Sequence, residues 1–367
     1  MNMNEECIQT GLCELGIQGR DVAVHASLRS FGHVTGGAEA VVHALLKVCR
    51  NVLMPTFCEI GRTNPPQEDR PRQNGWDYAG YRKDTTNIVP FDPDTFDATS
   101  KLNVNEMGRI PAEFLRTPGT FRSKHPSVSW AANGPDAAWY TAGHIADDPN
   151  LPLKRLMEKQ GAVLLLGVDL AGCTAIHLAE EVVGRSPFIR WVLYVDGSVR
   201  RVREYGCSDA FPKLAPHVAS LAKQIAIGQC HAVCYPITQL VKNVVKVLAT
   251  QPQITLCGRQ TLCRCQDSMK GGPKEDGEAN QTVVSTSLRA GPHRHRWATQ
   301  REEDNESSTH ICNRNHPHRY ISNVSERANT LRTEGNPHAK QQQHACPSRR
   351  IRKYLCTRHG RYPHPSG

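Results

Sequence analysis

His177 stands early in TAIHLAEEVVG (174–184), a stretch whose periodicity predicts a helix ending at Gly184. Just before it comes GAVLLLGVDL (161–170), the most apolar run of the chain and of the right length for a strand covered on both faces. A histidine so placed sits near the carboxyl end of a central strand, where open α/β sheets put their sites. Helical spacing sets Glu180 and Glu181 three and four residues on, within reach of the same face. An imidazole oriented by a carboxylate is a competent general base near neutral pH; the plainer alternative is a helix-end histidine with surface glutamates. Cys173 lies four residues before His177 and invites a Cys–His nucleophile. Such partners usually come from separate elements, so a buried structural thiol is the better reading. Cys257, Cys263 and Cys265 form C-x5-C-x-C, with Cys230, His231 and Cys234 nearby in sequence. Tetrahedral zinc sites favour C-x2–4-C pairs, so no metal is expected.

A second constellation suits phosphate. DVAVHASL (21–28) reads as a buried strand, Ser27, Leu28, Arg29 and Ser30 follow, and Gly32 and Thr35-Gly36-Gly37 lead into apolar residues at helical spacing from Val41 to Val48. Glycines let the backbone approach an anion, and a helix amino end offers N–H groups with partial positive charge. No Lys-Ser/Thr follows the glycines, so this is not a P-loop, and a plain strand-to-helix turn stays open.

The elements that must carry these groups are legible around them. A strand at 51–57 completes a βαβ unit with the first strand. Residues 61–105, rich in Pro, Asn, Asp and Gly, are too long for a simple connector, and Trp76, Tyr78, Tyr81 and Phe91 favour a packed functional loop. A helix is expected at about 106–117, then a loop and short strand within 121–134, and a hairpin of strands 189–195 and 199–205 around Asp196-Gly197. Helices at about 209–226 and 236–249 close an α/β domain with a mixed β-sheet flanked by helices.

Charge divides the 367 residues unequally. Of 45 Lys+Arg and 35 Asp+Glu, residues 266–367 hold 17 and 10, so most of the net charge of +10 lies there. Only 23 of those 102 residues are apolar, too few to offset the entropy of ordering them. The expected division is a domain at 1–265 and a basic, disordered extension at 266–367. That extension reads either as an arm for nucleic acid or, the preferred reading, as a segment without function. No run approaches the roughly 20 apolar residues of a membrane span. The first residues show no basic region followed by an apolar one, so a cytoplasmic protein with reduced thiols is expected.

Four blocks, in order, resemble the aminoglycoside 3-N-acetyltransferase family, antibiotic acetyltransferases whose fold is not of the GCN5 type. They are VHASLRSFGHVTGG (24–37), LMPTF (53–57), VPFDPDTFDATS with MGRIPAEFLRTPGTFRSKHPSVSWAANGP (89–135), and LLLGVDLAGCTAIHLAE (164–180). The long third block is the most specific. The resemblance implies acetyl-CoA as donor and an amine of a polycationic amino-sugar as acceptor, the 3-amino group of a 2-deoxystreptamine aminoglycoside. Membrane and nucleic acid are not expected partners, and a homodimer is allowed. It implies His177 as the catalytic base and Glu204 of REYGCSD as its acidic partner. The 24–37 loop would cradle the CoA pyrophosphate, and His125, Ser127 and Ser129 would line the thioester region. A polycation calls for acidic walls, for which Glu59, Asp77, Asp92, Asp94, Glu180 and Glu181 are the candidates. Two departures bear on the acceptor: Ala171-Gly172-Cys173-Thr174 stands where the family has Asp-Ser-Asn-Thr, and Cys234 where it has Arg.

Overall fold

Asn4 accepts a hydrogen bond from the Cys7 amide (3.0 Å) and so caps the first helix, α1 (Glu5–Glu14). Strand β1 (Asp21–Ala26), helix α2 (Gly37–Val48) and strand β2 (Asn51–Pro55) form the expected βαβ unit, with β1 and β2 parallel and Val22 opposite Val52. There follow β3 (Arg62–Thr63), α3 (Val104–Met107), α4 (Arg109–Arg116), β4 (Phe121–Arg122), β5 (Trp130–Asn133), α5 (Ala137–Thr141) and α6 (Leu151–Glu158). The apolar run supplies β6 (Ala162–Leu166), and α7 (Ala175–Val182) carries His177. The chain continues through the hairpin β7 (Phe188–Leu193) and β8 (Val199–Glu204), then α8 (Ala215–Val218), β9 (Lys223–Ile227), β10 (Cys230–Pro236) and α9 (Ile237–Thr250). This computed structural model describes residues 3–71, 73–75, 87–259 and 263–269, which belong to one compact unit. Asp77 and residues 270–367 lie outside the described residues.

Seven strands make one mixed sheet in the order β4-β5-β2-β1-β6-β10-β9, with β1 parallel to both β2 and β6 and the remaining neighbours antiparallel. Strand alternation splits its apolar residues between two cores. Val22, Val24, Leu164 and Leu166 pack with α2 on one face, while Ala23, Val163 and Leu165 pack with α7 and α9 on the other. A small second sheet, β3-β7-β8, has its own cluster around Phe91, Val192 and Val202.

Three expectations need correction. The helix expected at 106–117 is broken at Gly108, whose φ of +86° divides α3 from α4. The helix expected at 209–226 dissolves into short helical turns through Leu221, and Lys223–Ile227 is an edge strand instead. Here pairing with β10 across a turn at Gly228 overrides local periodicity. Finally, ten of the eleven described cysteines are free thiols, whereas Cys13 is disulfide-bonded. The boundary read at Cys265 falls in a 3-10 turn, Cys265–Ser268, whose buried Asp267 accepts the Gly75 amide (3.1 Å). Among the described residues no helix is long and apolar enough to cross a membrane.

Candidate active site

Because β1, β2 and β6 run parallel, their carboxyl ends share one edge of the sheet, the place open α/β sheets reserve for ligands. There His25 and Ala26 of β1, Pro55 of β2, and Val168, Ala171, Gly172 and Thr174 after β6 wall a cavity of about 280 Å³. His177, in the first turn of α7, faces this cavity together with Phe57, Tyr205, Gly206 and Ser208.

The imidazole is held on every side but one. Its Nδ1 lies 2.9 Å from Glu180 Oε2, and a carboxylate can only accept, so Nδ1 carries a proton and in the neutral ring the lone pair is on Nε2. Tyr205 stacks on the ring (5.0 Å between centroids, 11° between planes) and Phe211 meets it edge-on at 4.7 Å. The tyrosine is itself anchored, its hydroxyl accepting from Trp130 Nε1 (3.2 Å) and donating to the Pro149 carbonyl. The other oxygen of Glu180 accepts from Thr255 Oγ1 (2.8 Å) and from Arg185. Burial alone would raise the Glu180 carboxyl pKa; the hydrogen bond and charge of His177, with Arg185 and Thr255, outweigh it and hold the group below its ordinary value. His177 is only 9% exposed, so the base is desolvated but open to the cavity.

Glu204, at the end of β8, lines a smaller cavity together with His177 and Tyr205, but its carboxylate is engaged by other partners. Its carboxylate meets Arg62 (2.5 Å), Arg190 (3.9 Å) and the Ser127 hydroxyl. Burial pushes its pKa up, but the two arginines and the hydroxyl bond bring it below the ordinary value. The carboxylate that orients His177 is therefore Glu180, as helical spacing indicated.

The HPSVS loop is scaffold too. His125 Nδ1 accepts the Ser127 (3.1 Å) and Val128 (3.0 Å) amides, so its Nε2 donates to the Arg203 carbonyl (3.0 Å). Burial lowers its pKa to about 4 and keeps it neutral. Ser129 donates to the Thr56 carbonyl (2.6 Å) and accepts from Arg122 (3.1 Å). His125, Ser127 and Ser129 are buried and line neither cavity that His177 lines. His125 and Ser127 tie the loop to β8, and Ser129 ties it to the residue after β2.

The glycine loop leads into the amino end of α2. Leu28–Phe31 is a 3-10 turn, Gly36 (φ +84°) occupies the N-cap of α2, and no side chain caps that helix. Gly37 N is taken by the Val34 carbonyl (2.9 Å), and Ala40 N begins the bonding within the helix (3.3 Å to Gly36 O). The Ala38 and Glu39 amides between them are first-turn donors with no carbonyl inside the helix to meet. Arg29, Gly32, Thr35 and Gly36 are exposed around this end. Leu28 packs on the core, and Ser30 turns inward to donate to Ser27 O (2.7 Å). Ser27 follows directly on Ala26 of the cavity wall.

The acidic candidates scatter. Glu181 accepts from Lys154 (2.7 Å) and Asn150 (2.6 Å), away from the larger cavity. Glu59 and Asp92 line a different cavity of about 780 Å³, Glu59 paired with Arg62 (3.0 Å) and Asp92 accepting Asp94 N (3.0 Å). Asp94 is exposed and lines neither cavity. While Glu180, Glu181 and Glu204 line a smaller cavity that His177 also lines, the acidic side chain that lines the 280 Å³ cavity is Glu106, which the sequence reading passed over. Its signal was its place immediately before the MG-x-I block. Cys173 is fully buried with its thiol pKa pushed up to about 12, which suits a structural thiol and not a nucleophile. The cysteines grouped by sequence also regroup: Cys257, Cys263 and Cys265 meet Cys207 and not Cys230, His231 or Cys234.

A family model for aminoglycoside 3-N-acetyltransferase matches residues 23–249. Aminoglycoside N(3)-acetyltransferase IX of Micromonospora chalcea is 35% identical over 184 residues, covering 47% of this chain and 60% of that protein. Aminoglycoside N(3)-acetyltransferase III of Salmonella sp is 34% identical over 201 residues, covering 52% and 64%. The chain thus spans less than two thirds of the length of these curated relatives. Among solved structures, AAC-IIIb in a binary complex with CoASH has the same fold, with a TM-score of 0.56 at 24% identity over 68% of this chain and 98% of that one.

Proposed function

The chain belongs to the aminoglycoside 3-N-acetyltransferase family, and on that premise we propose that it moves the acetyl group of acetyl-CoA to an amino group of an aminoglycoside, the 3-amino group of a 2-deoxystreptamine ring. The observation that carries this is the His177–Glu180 pair opening, through Nε2, into the cavity at the strand ends.

An alkylammonium acceptor is protonated at pH 7 and must shed a proton to become a nucleophile. His177 Nε2 takes that proton as the nitrogen attacks the thioester carbonyl carbon. The C–N bond forms, the C–S bond breaks, the departing CoA thiolate is protonated by the imidazolium or by water, and the acylated nitrogen loses its second proton to solvent to give the neutral amide. Glu180 keeps the imidazole in the productive tautomer and stabilises the imidazolium, and base catalysis of this kind contributes about 10²–10⁴ in rate. The amino end of α2, with Arg29 and Thr35 exposed beside it, suits the CoA phosphates. A relative solved with CoASH supports that donor. Glu106 offers the cavity a negative charge for a cationic acceptor. Transfer is direct, because Cys173 is buried and its thiol is held protonated.

The test is release of free CoA thiol with acetyl-CoA and a panel of amines. Turnover with 2-deoxystreptamine aminoglycosides and a 3-N-acetyl product by mass spectrometry are expected. Turnover only with unrelated amines would overturn the acceptor, and no turnover with any amine would overturn the activity.

A further inference from the structure

We propose that Cys207, Cys257, Cys263 and Cys265 form a structural zinc site that pins one wall of the His177 cavity. Their four sulfurs all lie within 4.8 Å of one another. Cys257 Sγ and Cys265 Sγ are 3.7 Å apart, whereas a disulfide would need about 2.05 Å, and all four are free thiols. Four thiolates at 2.3 Å around one zinc occupy tetrahedral corners about 3.8 Å from each other. Four sulfur ligands also close the coordination sphere, which marks a structural rather than a catalytic metal.

The surroundings fit a zinc thiolate centre. The Arg259 amide donates to Cys257 Sγ (3.4 Å), an outer-shell contact of the kind that orients a ligand. The Arg259 side chain pairs with Asp209, two residues beyond Cys207, so the two segments are also joined beside the sulfurs.

The position gives such a metal a use. Cys207 sits between Gly206 and Ser208, both in the cavity wall, and two residues after Tyr205, which stacks on His177. The other three cysteines follow Thr255, which donates to Glu180. One ion would thereby tie together the two segments that set the plane and the partner of the imidazole.

The test uses the full chain, purified without chelator. Elemental analysis should find one zinc per chain. Cobalt(II) exchanged into the protein should show thiolate charge-transfer and tetrahedral d–d absorption. A Cys257→Ser/Cys265→Ser double variant should lose both signals. Should that variant fail to fold, the native chain decides: four more thiols should react with a disulfide reagent after the metal is stripped than before, and added zinc should protect them again. Three results would overturn the site: negligible zinc with no uptake on addition, undiminished zinc in a folded double variant, or a Cys257–Cys265 disulfide in rapidly alkylated protein. None of these readouts depends on the acetyl-transfer reaction.

Discussion

Glu180 and Glu204 are buried carboxylates at the two ends of one small cavity wall, and Tyr205 separates their roles. Both have pKa values held below the ordinary range by the same physics, in which charged and hydrogen-bonding partners overcome burial. Their partners differ. Glu204 meets two arginines and a hydroxyl and ties β8 to β3 and the HPSVS loop. Glu180 divides its oxygens, giving one to Arg185 and Thr255 and the other to an imidazole whose remaining nitrogen opens on a cavity. A perturbed carboxylate is thus not a functional one by itself. What separates the two is whether the chain of hydrogen bonds ends inside the protein or at a space a substrate can enter.

That contrast can be broken or sharpened by substitution. His177→Ala should lower kcat by about two to four orders of magnitude with acetyl-CoA affinity retained, since only the proton-transfer step is removed; steady-state kinetics with calorimetric CoA titration would show it. Glu180→Gln should cost less, roughly one to two orders of magnitude, because the base remains but its tautomer and imidazolium lose support. The acidic limb of its pH–rate profile should move to lower pH. An equal effect from Glu204→Gln, corrected for folded fraction, would show the two carboxylates to be equivalent.

Glu204→Gln should instead act on stability, by about 3 kcal/mol as expected for breaking a buried ion pair, with kcat per folded molecule near wild type. Its pH dependence follows from the shifts. A carboxylate whose pKa is depressed on folding stabilises the native state above its unfolded value of 4.5 and loses that contribution as pH falls through the folded value. His25 and His125, buried neutral with pKa values of about 4 against 6.5 unfolded, remove stability as pH drops from 6.5 towards 4. Melting temperature should therefore decline from pH 6.5 downward in both proteins, and the variant should lack part of the further decline below pH 4.5. The smallest effect is expected from Cys173→Ala, whose turnover should stay near wild type. A collapse there would replace direct transfer with an acetyl-cysteine route.

Much of this was legible before any coordinates. The period of DVAVHASL and GAVLLLGVDL, the glycines before α2, and Asp196-Gly197 are signals carried by neighbours in the chain, so β1, β6, α2 and the β7–β8 hairpin followed from them. Glu180 was within reach for the same reason, since a helix fixes what lies three residues away. Glu204 was carried over by position across loops of variable length, and in the fold its carboxylate meets Arg62 instead of the imidazole. The edge strand β9 was read as helix because its partner, β10, is what makes it a strand.

By itself, then, the sequence determined the family, the α/β class and the helical spacing that sets Glu180 within reach of His177, all encoded by contiguous residues. Only the tertiary structure decided which partners His125, Ser127 and Ser129 take, that Glu106 lines the 280 Å³ cavity beside His177, and that Cys207 joins cysteines fifty and more residues further on. These depend on which segments the sheet brings side by side, and hydrogen bonding between distant strands leaves no periodic mark on either segment alone.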